Sequence, residues 1–209
     1  CYENLSGQTL LNEEDRLGGI DPYSCSKSCA EHVTRSFSSS IFGGESYVDL
    51  GVATARSGNV IGGGDWAVDR LIPDAIRAVQ HGQKLVVRNP HSIRPWQHVL
   101  EPLSGYLLLC ESLWRDPRGF GGAWNFGPKS EDSARVSRIC DLLLDHFEIS
   151  YPWVSFEEAG DSHYESEFLM LNSKKAKDRL CWSPRWNITR AIKETADWYK
   201  QSLTESGIL

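Results

Sequence analysis

The chain has 209 residues, 40% hydrophobic and 24% charged, which is enough for one folded domain with a substantial core. Its formal net charge of -6 lacks the dense basic footprint that non-specific nucleic-acid binding requires. No apolar run reaches the roughly 20 residues of a membrane span, and Cys1-Tyr2-Glu3-Asn4 has neither a basic nor an apolar signal region. The expected setting is therefore cytoplasmic, with neither nucleic acid nor membrane as partner.

In chain order, Asp21-Pro22 reads as a helix start, with aspartate as cap and proline in the first turn. That helix is expected to run to about Phe42, where Gly43-Gly44 end it. Val48 to Ala55 is an apolar, β-branched run of the kind found in buried parallel strands. A glycine-rich loop follows from Ser57 to Asp65. Leu71 to Gln80 predicts a helix closed by His81-Gly82, and Leu85-Val86-Val87 a short strand. Val99 to Trp114 has helical periodicity, with Pro102 in its first turn. Ala123 to Phe126 predicts a strand and Val136 to Phe147 a helix. Tyr151 to Phe156 and Phe168 to Leu171 predict two edge strands. Ser173 to Leu180 predicts a short helix and Ile188 to Leu203 the last long one. This alternation predicts an α/β fold with a parallel sheet. The looser second half predicts a small cap on the sheet's carboxyl edge, where ligands bind in such folds. Its tryptophans, Trp96, Trp114, Trp124, Trp153, Trp182, Trp186 and Trp198, are expected in the core.

The six cysteines, Cys1, Cys25, Cys29, Cys110, Cys140 and Cys181, form no Cys-x-x-Cys pair and no Cys/His cluster with zinc spacing. No metal site and no disulfide framework are expected. Four of the six lie in apolar or helical settings and are expected to be buried, reduced thiols.

Tyr23 and Lys27 stand four apart at the capped helix start, so both side chains share one face. An ammonium beside a phenol favours the phenolate, and the positive end of the helix adds to that field. Such a pair can take a proton from a sugar hydroxyl while hydride leaves the carbon. The bland alternative is a solvated lysine beside a half-buried tyrosine. The loop Arg56-Ser57-Gly58-Asn59-Val60-Ile61-Gly62-Gly63-Gly64-Asp65-Trp66 follows a predicted strand, on the edge where ligands sit. Its glycines allow a close ligand approach, or they make a surface turn. Arg70, Arg88 and Arg94 lie beside turns and suit a small anion such as a diphosphate, or else make surface ion pairs. Asn125 falls in an apolar strand and needs partners, either structural or from a ligand.

Six segments occur together in order. They are Asp21-Pro22-Tyr23-Ser24-Cys25-Ser26-Lys27, the loop from Ala55 to Trp66, Arg70-Leu71-Ile72-Pro73, Val87-Arg88-Asn89-Pro90, Ile93-Arg94-Pro95-Trp96-Gln97-His98-Val99 and Trp124-Asn125-Phe126-Gly127-Pro128. Together, and with the tail Trp182-Ser183-Pro184-Arg185-Trp186, they resemble the CDP-glucose 4,6-dehydratase family of the extended short-chain dehydrogenase/reductase superfamily, from about Cys1 to Tyr199. The resemblance implies the C-terminal part of a Rossmann-type parallel sheet plus a small α/β substrate-binding cap. Residues 1–68 and part of 83–130 would belong to the former. Residues 69–82 and most of 131–209, with the C-terminal helix, would belong to the latter.

The resemblance further implies an NAD-dependent lyase acting on CDP-glucose. Tyr23 would act as the oxidation base. Lys27 would assist it and bind the nicotinamide ribose, with Ser57 near the nicotinamide. Asn59, Arg70, Leu71, Arg88, Arg94 and Asn125 would bind the sugar nucleotide. The product would be CDP-4-keto-6-deoxyglucose, a precursor of deoxysugars in bacterial surface polysaccharide. Glu157 to Phe168 departs from the family pattern, so His163 receives no role.

The family's Gly-x-x-Gly-x-x-Gly loop and its elimination acid and base have no counterpart here. The resemblance puts them ahead of Cys1, in an N-terminally truncated chain expected by itself to lack dehydratase activity and to bind NAD poorly. It also implies a homodimeric parent that pairs through the tyrosine-bearing helix and the helix before it. The latter is absent here, so pairing by this chain is not expected. Two other readings stay open: another NAD-dependent sugar-nucleotide dehydratase or epimerase, and a non-catalytic nucleotide-binding remnant.

Overall fold

A computed structural model describes residues 1–4, 10–149, 153–155 and 168–205. His163 and half of the predicted strand Tyr151 to Phe156 lie outside the described residues. The elements in chain order are β1 (Leu10–Leu11), α1 (Pro22–Ser40), β2 (Ala53–Ser57), β3 (Val60–Ile61), α2 (Leu71–Gln80), β4 (Val86–Val87), β5 (Ile93–Arg94), β6 (Gln97–His98) and α3 (Leu100–Arg115). After them come β7 (Gly122–Phe126), β8 (Ala134–Arg135), α4 (Val136–His146), β9 (Val154–Ser155), β10 (Met170–Leu171), α5 (Lys174–Leu180) and α6 (Ile188–Glu205).

The predicted α/β alternation holds, and the pairing is mostly parallel. The main ladder joins β2 to β7 in parallel, from Ala53 opposite Gly122 to Ser57 opposite Phe126. Three shorter parallel pairs are β1 with β10, β3 with β6 and β4 with β9, while β5 and β8 pair antiparallel. The predicted strand Val48 to Ala55 needs correction. Glu45–Tyr47 form a single 3-10 turn, Val48 and Leu50 are exposed, and the strand begins only at Ala53. Ala53 is where the paired register with β7 begins, opposite Gly122.

The helices follow their sequence signals closely. The Asp21 carboxylate accepts the Ser24 backbone N–H at 2.9 Å, satisfying an orphan donor of the first turn, and Pro22 opens the helix. In α2 the buried residues are Ile72, Pro73, Ala75 and Ile76, in α4 Ile139, Cys140, Leu143 and Leu144, and in α6 Ala191, Ile192, Thr195, Ala196, Tyr199 and Leu203. That spacing is one helical stripe in each case. The three stripes meet with Ile61, Val87 and Trp96 in the largest apolar cluster. A second cluster packs α3 and α5 on β7 through Leu109, Trp124, Phe126, Ala176, Leu180 and Trp182. A third, small one joins Tyr2, Leu11 and Leu171. Thus α5 and Trp182 pack with the β2–β7 ladder rather than with the cap-side helices.

Two composition-based expectations fail. Of the tryptophans, Trp96, Trp124 and Trp182 are buried, but Trp114 lies on a helix face that nothing described covers, and Trp198, although it packs against Gly63, stays 43% exposed. Of the cysteines only Cys140 is buried, and Cys25, Cys29, Cys110 and Cys181 are exposed. Burial pushes the Cys140 thiol up to about 12, an inert setting. Among the described residues no helix is long and apolar enough to cross a membrane, and no cluster of His, Cys, Asp or Glu side chains could hold a metal.

Candidate active site

The site assembles at the carboxyl end of β2. Arg118, shortly before β7 begins, donates to the carbonyl of Gly44, just past the end of α1. Gly122 at the start of β7 donates to Val52. These bonds hold the C-terminal end of α1 at the amino end of the ladder. The N-terminal turn, with Tyr23 and Lys27, therefore points to the carboxyl edge. The Lys27 ammonium lies over the Tyr23 ring, 5.5 Å from its centroid. The two side chains thus share a face, as their spacing predicts. Tyr23 is 62% exposed, so its phenol is open at that edge.

Ser57 closes β2, opposite Phe126. The loop beyond it lies along the segment that carries Arg94. The Asn59 carbonyl accepts the Gln97 N–H at 2.9 Å, and β3 continues in parallel with β6. A Cβ at Gly58 would stand 2.4 Å from the Pro95 ring, and one at Gly63 would meet the Trp198 indole at 2.2 Å. The close approach these glycines permit is therefore to protein, which corrects the expectation that they make room for a ligand. Arg94 is buried and donates to the Ile93 carbonyl at 2.9 Å.

Arg70 is the exposed residue that precedes α2, and half-buried Leu71 opens that helix. Arg88 pairs with Asp69 on the surface, both well exposed. A pair so exposed is worth less than about 1 kcal/mol and does not commit Arg88 against an incoming anion. A cavity of about 590 Å³ opens beside it, lined by Arg77, Lys84 and Arg88 with Asp74, His81 and Leu85. Of the predicted site residues, only Arg88 lines that cavity.

Asn125 is fully buried, and its amide is occupied internally. Nδ2 donates to the Leu11 carbonyl at 3.0 Å, and Oδ1 accepts the Tyr2 hydroxyl at 2.7 Å. The expected ligand contact is not carried by this geometry, since a buried amide with these partners has its structural explanation.

Four residues without an assigned role, Tyr2, Glu31, Thr54 and Arg56, complete the polar centre. Arg56 donates to the Glu31 carboxylate at 2.7 Å and to the Tyr2 hydroxyl at 2.7 Å. Thr54 donates to the same carboxylate at 2.8 Å. Burial opposes the charge on Glu31, yet the bonds from Arg56 and Thr54 outweigh it and hold the carboxyl below its ordinary range. Burial raises the Tyr2 phenol, so it stays a neutral donor. The signal was an arginine inside a short apolar strand, a residue that is rarely buried unless paired. His98 is buried against the Trp186 ring at 4.8 Å, and burial lowers its basicity despite nearby Glu194 and Glu101.

The model of the family described as GDP-mannose 4,6 dehydratase matches residues 3–195. The chain is 43% identical to the CDP-glucose 4,6-dehydratase of Salmonella typhimurium over 96% of its own length and 56% of that protein. It is 27% identical to a dTDP-glucose 4,6-dehydratase of Xanthomonas campestris pv. campestris, over 97% of its length and again 56% of the relative. The chain therefore spans a little over half the length of these curated relatives. Its fold matches the crystal structure of dTDP-glucose 4,6-dehydratase from Bacillus anthracis in complex with NAD, with a TM-score of 0.77, 20% identity and coverage of 98% of this chain and 60% of that one. With the Tyr23–Lys27 helix, the β2 edge and the match over residues 3–195 in hand, the chain belongs to the GDP-mannose 4,6 dehydratase family.

Proposed function

We propose that this chain carries the oxidation base and much of the sugar-nucleotide pocket of an NAD-dependent CDP-glucose 4,6-dehydratase. The observation that carries the reading is the 43% identity to the Salmonella typhimurium CDP-glucose 4,6-dehydratase. The Tyr23–Lys27 arrangement supports its chemistry. In the reaction, the C4 hydroxyl gives its proton to the Tyr23 phenolate as the C4–H bond breaks and a ketone forms. Water is then lost across C5 and C6, and hydride returns to C6 with a proton to C5, giving CDP-4-keto-6-deoxyglucose. NAD, when bound, would supply the acceptor and then the donor of that hydride and be left unchanged over a cycle.

The residues present fit the nicotinamide end of that cofactor. Tyr23 is open at the sheet edge, the Lys27 ammonium stands beside it and would hold the nicotinamide ribose, and Ser57 closes the neighbouring strand. The Lys27 ammonium lies over the ring of the phenol that takes the proton. We assign Asn59 and Arg94, on adjoining segments, to the sugar and diphosphate, and Arg70, Leu71 and Arg88 to the nucleotide, with the cavity beside Arg88 in support. We assign residues 1–68 and part of 83–130 to the cofactor-side sheet and 69–82 with most of 131–209 to the cap. A cytoplasmic enzyme belongs to the same reading, as does a homodimeric parent that pairs through α1 and the helix before it, with exposed Val33 and Phe37 on α1 in support.

The test is turnover by a protein of the relatives' length that contains these residues, offered CDP-, dTDP-, GDP- and UDP-glucose. The expected result is a 4-keto-6-deoxy product from CDP-glucose in preference to the others. Tyr23→Phe should lower kcat by about 10²- to 10⁴-fold, the usual loss of a general base. Equal turnover of another nucleotide sugar would overturn the nucleotide assignment, and full activity in Tyr23→Phe would overturn the base.

A further inference from the structure

α1 is an almost solvent-exposed helix. Ser28 is its only buried residue, and Val33, Phe37 and Ile41 face outward. Apolar packing therefore does little to set where its N-terminal turn sits. A polar anchor takes that place. Glu31 lies one turn beyond Lys27 and two beyond Tyr23 on the same stripe, about 12 Å along the axis from Tyr23 at 1.5 Å per residue. Its carboxylate reaches across to β2 and accepts from both Thr54 and Arg56. The Arg56–Glu31 pair is nearly dry, with side chains 7% and 13% exposed.

Arg56 is itself braced from the other side. It donates to Tyr2, Tyr2 donates to Asn125, and Asn125 donates to the Leu11 carbonyl, which ties β2, β7 and β1 into one hydrogen-bonded line. A dry ion pair is poor at adding net stability, because desolvation offsets the Coulomb attraction, but its hydrogen bonds are directional and fix placement. Ser57, expected at the nicotinamide, is the residue next to Arg56 in β2.

We propose that Arg56 and Glu31 are positioning residues that pin α1 to the carboxyl half of β2 and so fix the Tyr23–Lys27 pair relative to Ser57. The proposal rests on the redox reading above, and two readouts keep the two separable. The first is amide hydrogen exchange on this chain, comparing wild type with Arg56→Met, Glu31→Gln and the conservative Arg56→Lys. Arg56→Met and Glu31→Gln should raise exchange in the N-terminal half of α1 by about 10-fold while α4 and α6 keep their protection, and Arg56→Lys should recover part of it.

The second readout is the kinetics of the relatives'-length protein with CDP-glucose deuterated at C4. Mispositioning should lower kcat about 10-fold, leave KM nearly unchanged and enlarge the deuterium isotope effect, since the oxidation step becomes rate-limiting. A purely structural loss lowers the amount of active enzyme and leaves the isotope effect as it was. Unchanged α1 protection in Glu31→Gln, or a wild-type isotope effect in an Arg56 variant that folds, overturns the proposal. A wild-type protein that turns over no nucleotide-glucose overturns the redox reading instead, and hydrogen exchange still decides the pinning.

Discussion

The helices α2, α4 and α6 and the helices α1 and α3 beside the β2–β7 ladder have opposite fates in the structure. In α2, α4 and α6 the apolar stripes close on one another, and Ile76, Ile139 and Leu143 are fully buried. In α1 and α3 the outward faces stay open, with Leu100, Leu103, Leu107 and Trp114 forming an exposed stripe along α3. An apolar stripe at helical spacing says that a helix has a face to bury, but it does not say that the partner is present. On the ladder side, polar anchors and one face of β7 set the geometry instead.

That contrast can be tested with substitutions of one residue type in two places. Leu143→Ala should cost about 2–5 kcal/mol in equilibrium unfolding, through lost burial and a cavity. A loss under about 1 kcal/mol would show the cluster of α2, α4 and α6 to be loosely packed. Arg56→Met comes next, with an expected loss of about 3 kcal/mol, because it strands the Glu31 carboxylate in a nearly dry site.

The same pair carries a pH signature. The carboxyl of Glu31 is depressed in the folded state, so its contribution is present above its ordinary value and is lost as pH falls through the lower, folded one. The stability gap between wild type and Glu31→Gln should therefore shrink as pH falls below the ordinary carboxyl range, and a gap that widens there would break the assignment. His98 gives a smaller effect in a different window. Burial lowers its affinity for a proton, so the unfolded chain binds that proton more readily. Stability should decline as pH drops below about 6.5, and His98→Gln should remove that part of the slope. Leu107→Ser should change stability by less than about 0.5 kcal/mol, since the side chain is already 72% exposed. A larger loss would mean that the outer face of α3 is covered in solution.

What could be read without the structure was what depends on neighbours a few residues away. The Asp21 cap, the proline at the first turn, the ends of α2 and the shared face of Tyr23 and Lys27 follow from spacing within one or two helical turns. What could not be read depends on partners far along the chain. Strands of two residues, such as β1 and β5, are too short to show an alternation. Nothing near Asn125 in sequence announces that Tyr2 and Leu11 will occupy its amide, and nothing near Trp114 announces that its side of α3 stays open.

By itself, then, the sequence determined the helices, the parallel α/β alternation and the tyrosine–lysine pair, because local backbone chemistry and side-chain period decide those. Only the tertiary structure decided that Glu31 meets Arg56, that Gly58 and Gly63 make room for Pro95 and Trp198 rather than for a ligand, and which apolar faces are covered. Burial and ion pairing are properties of the packed chain, set by what arrives from a distance and how much water it displaces.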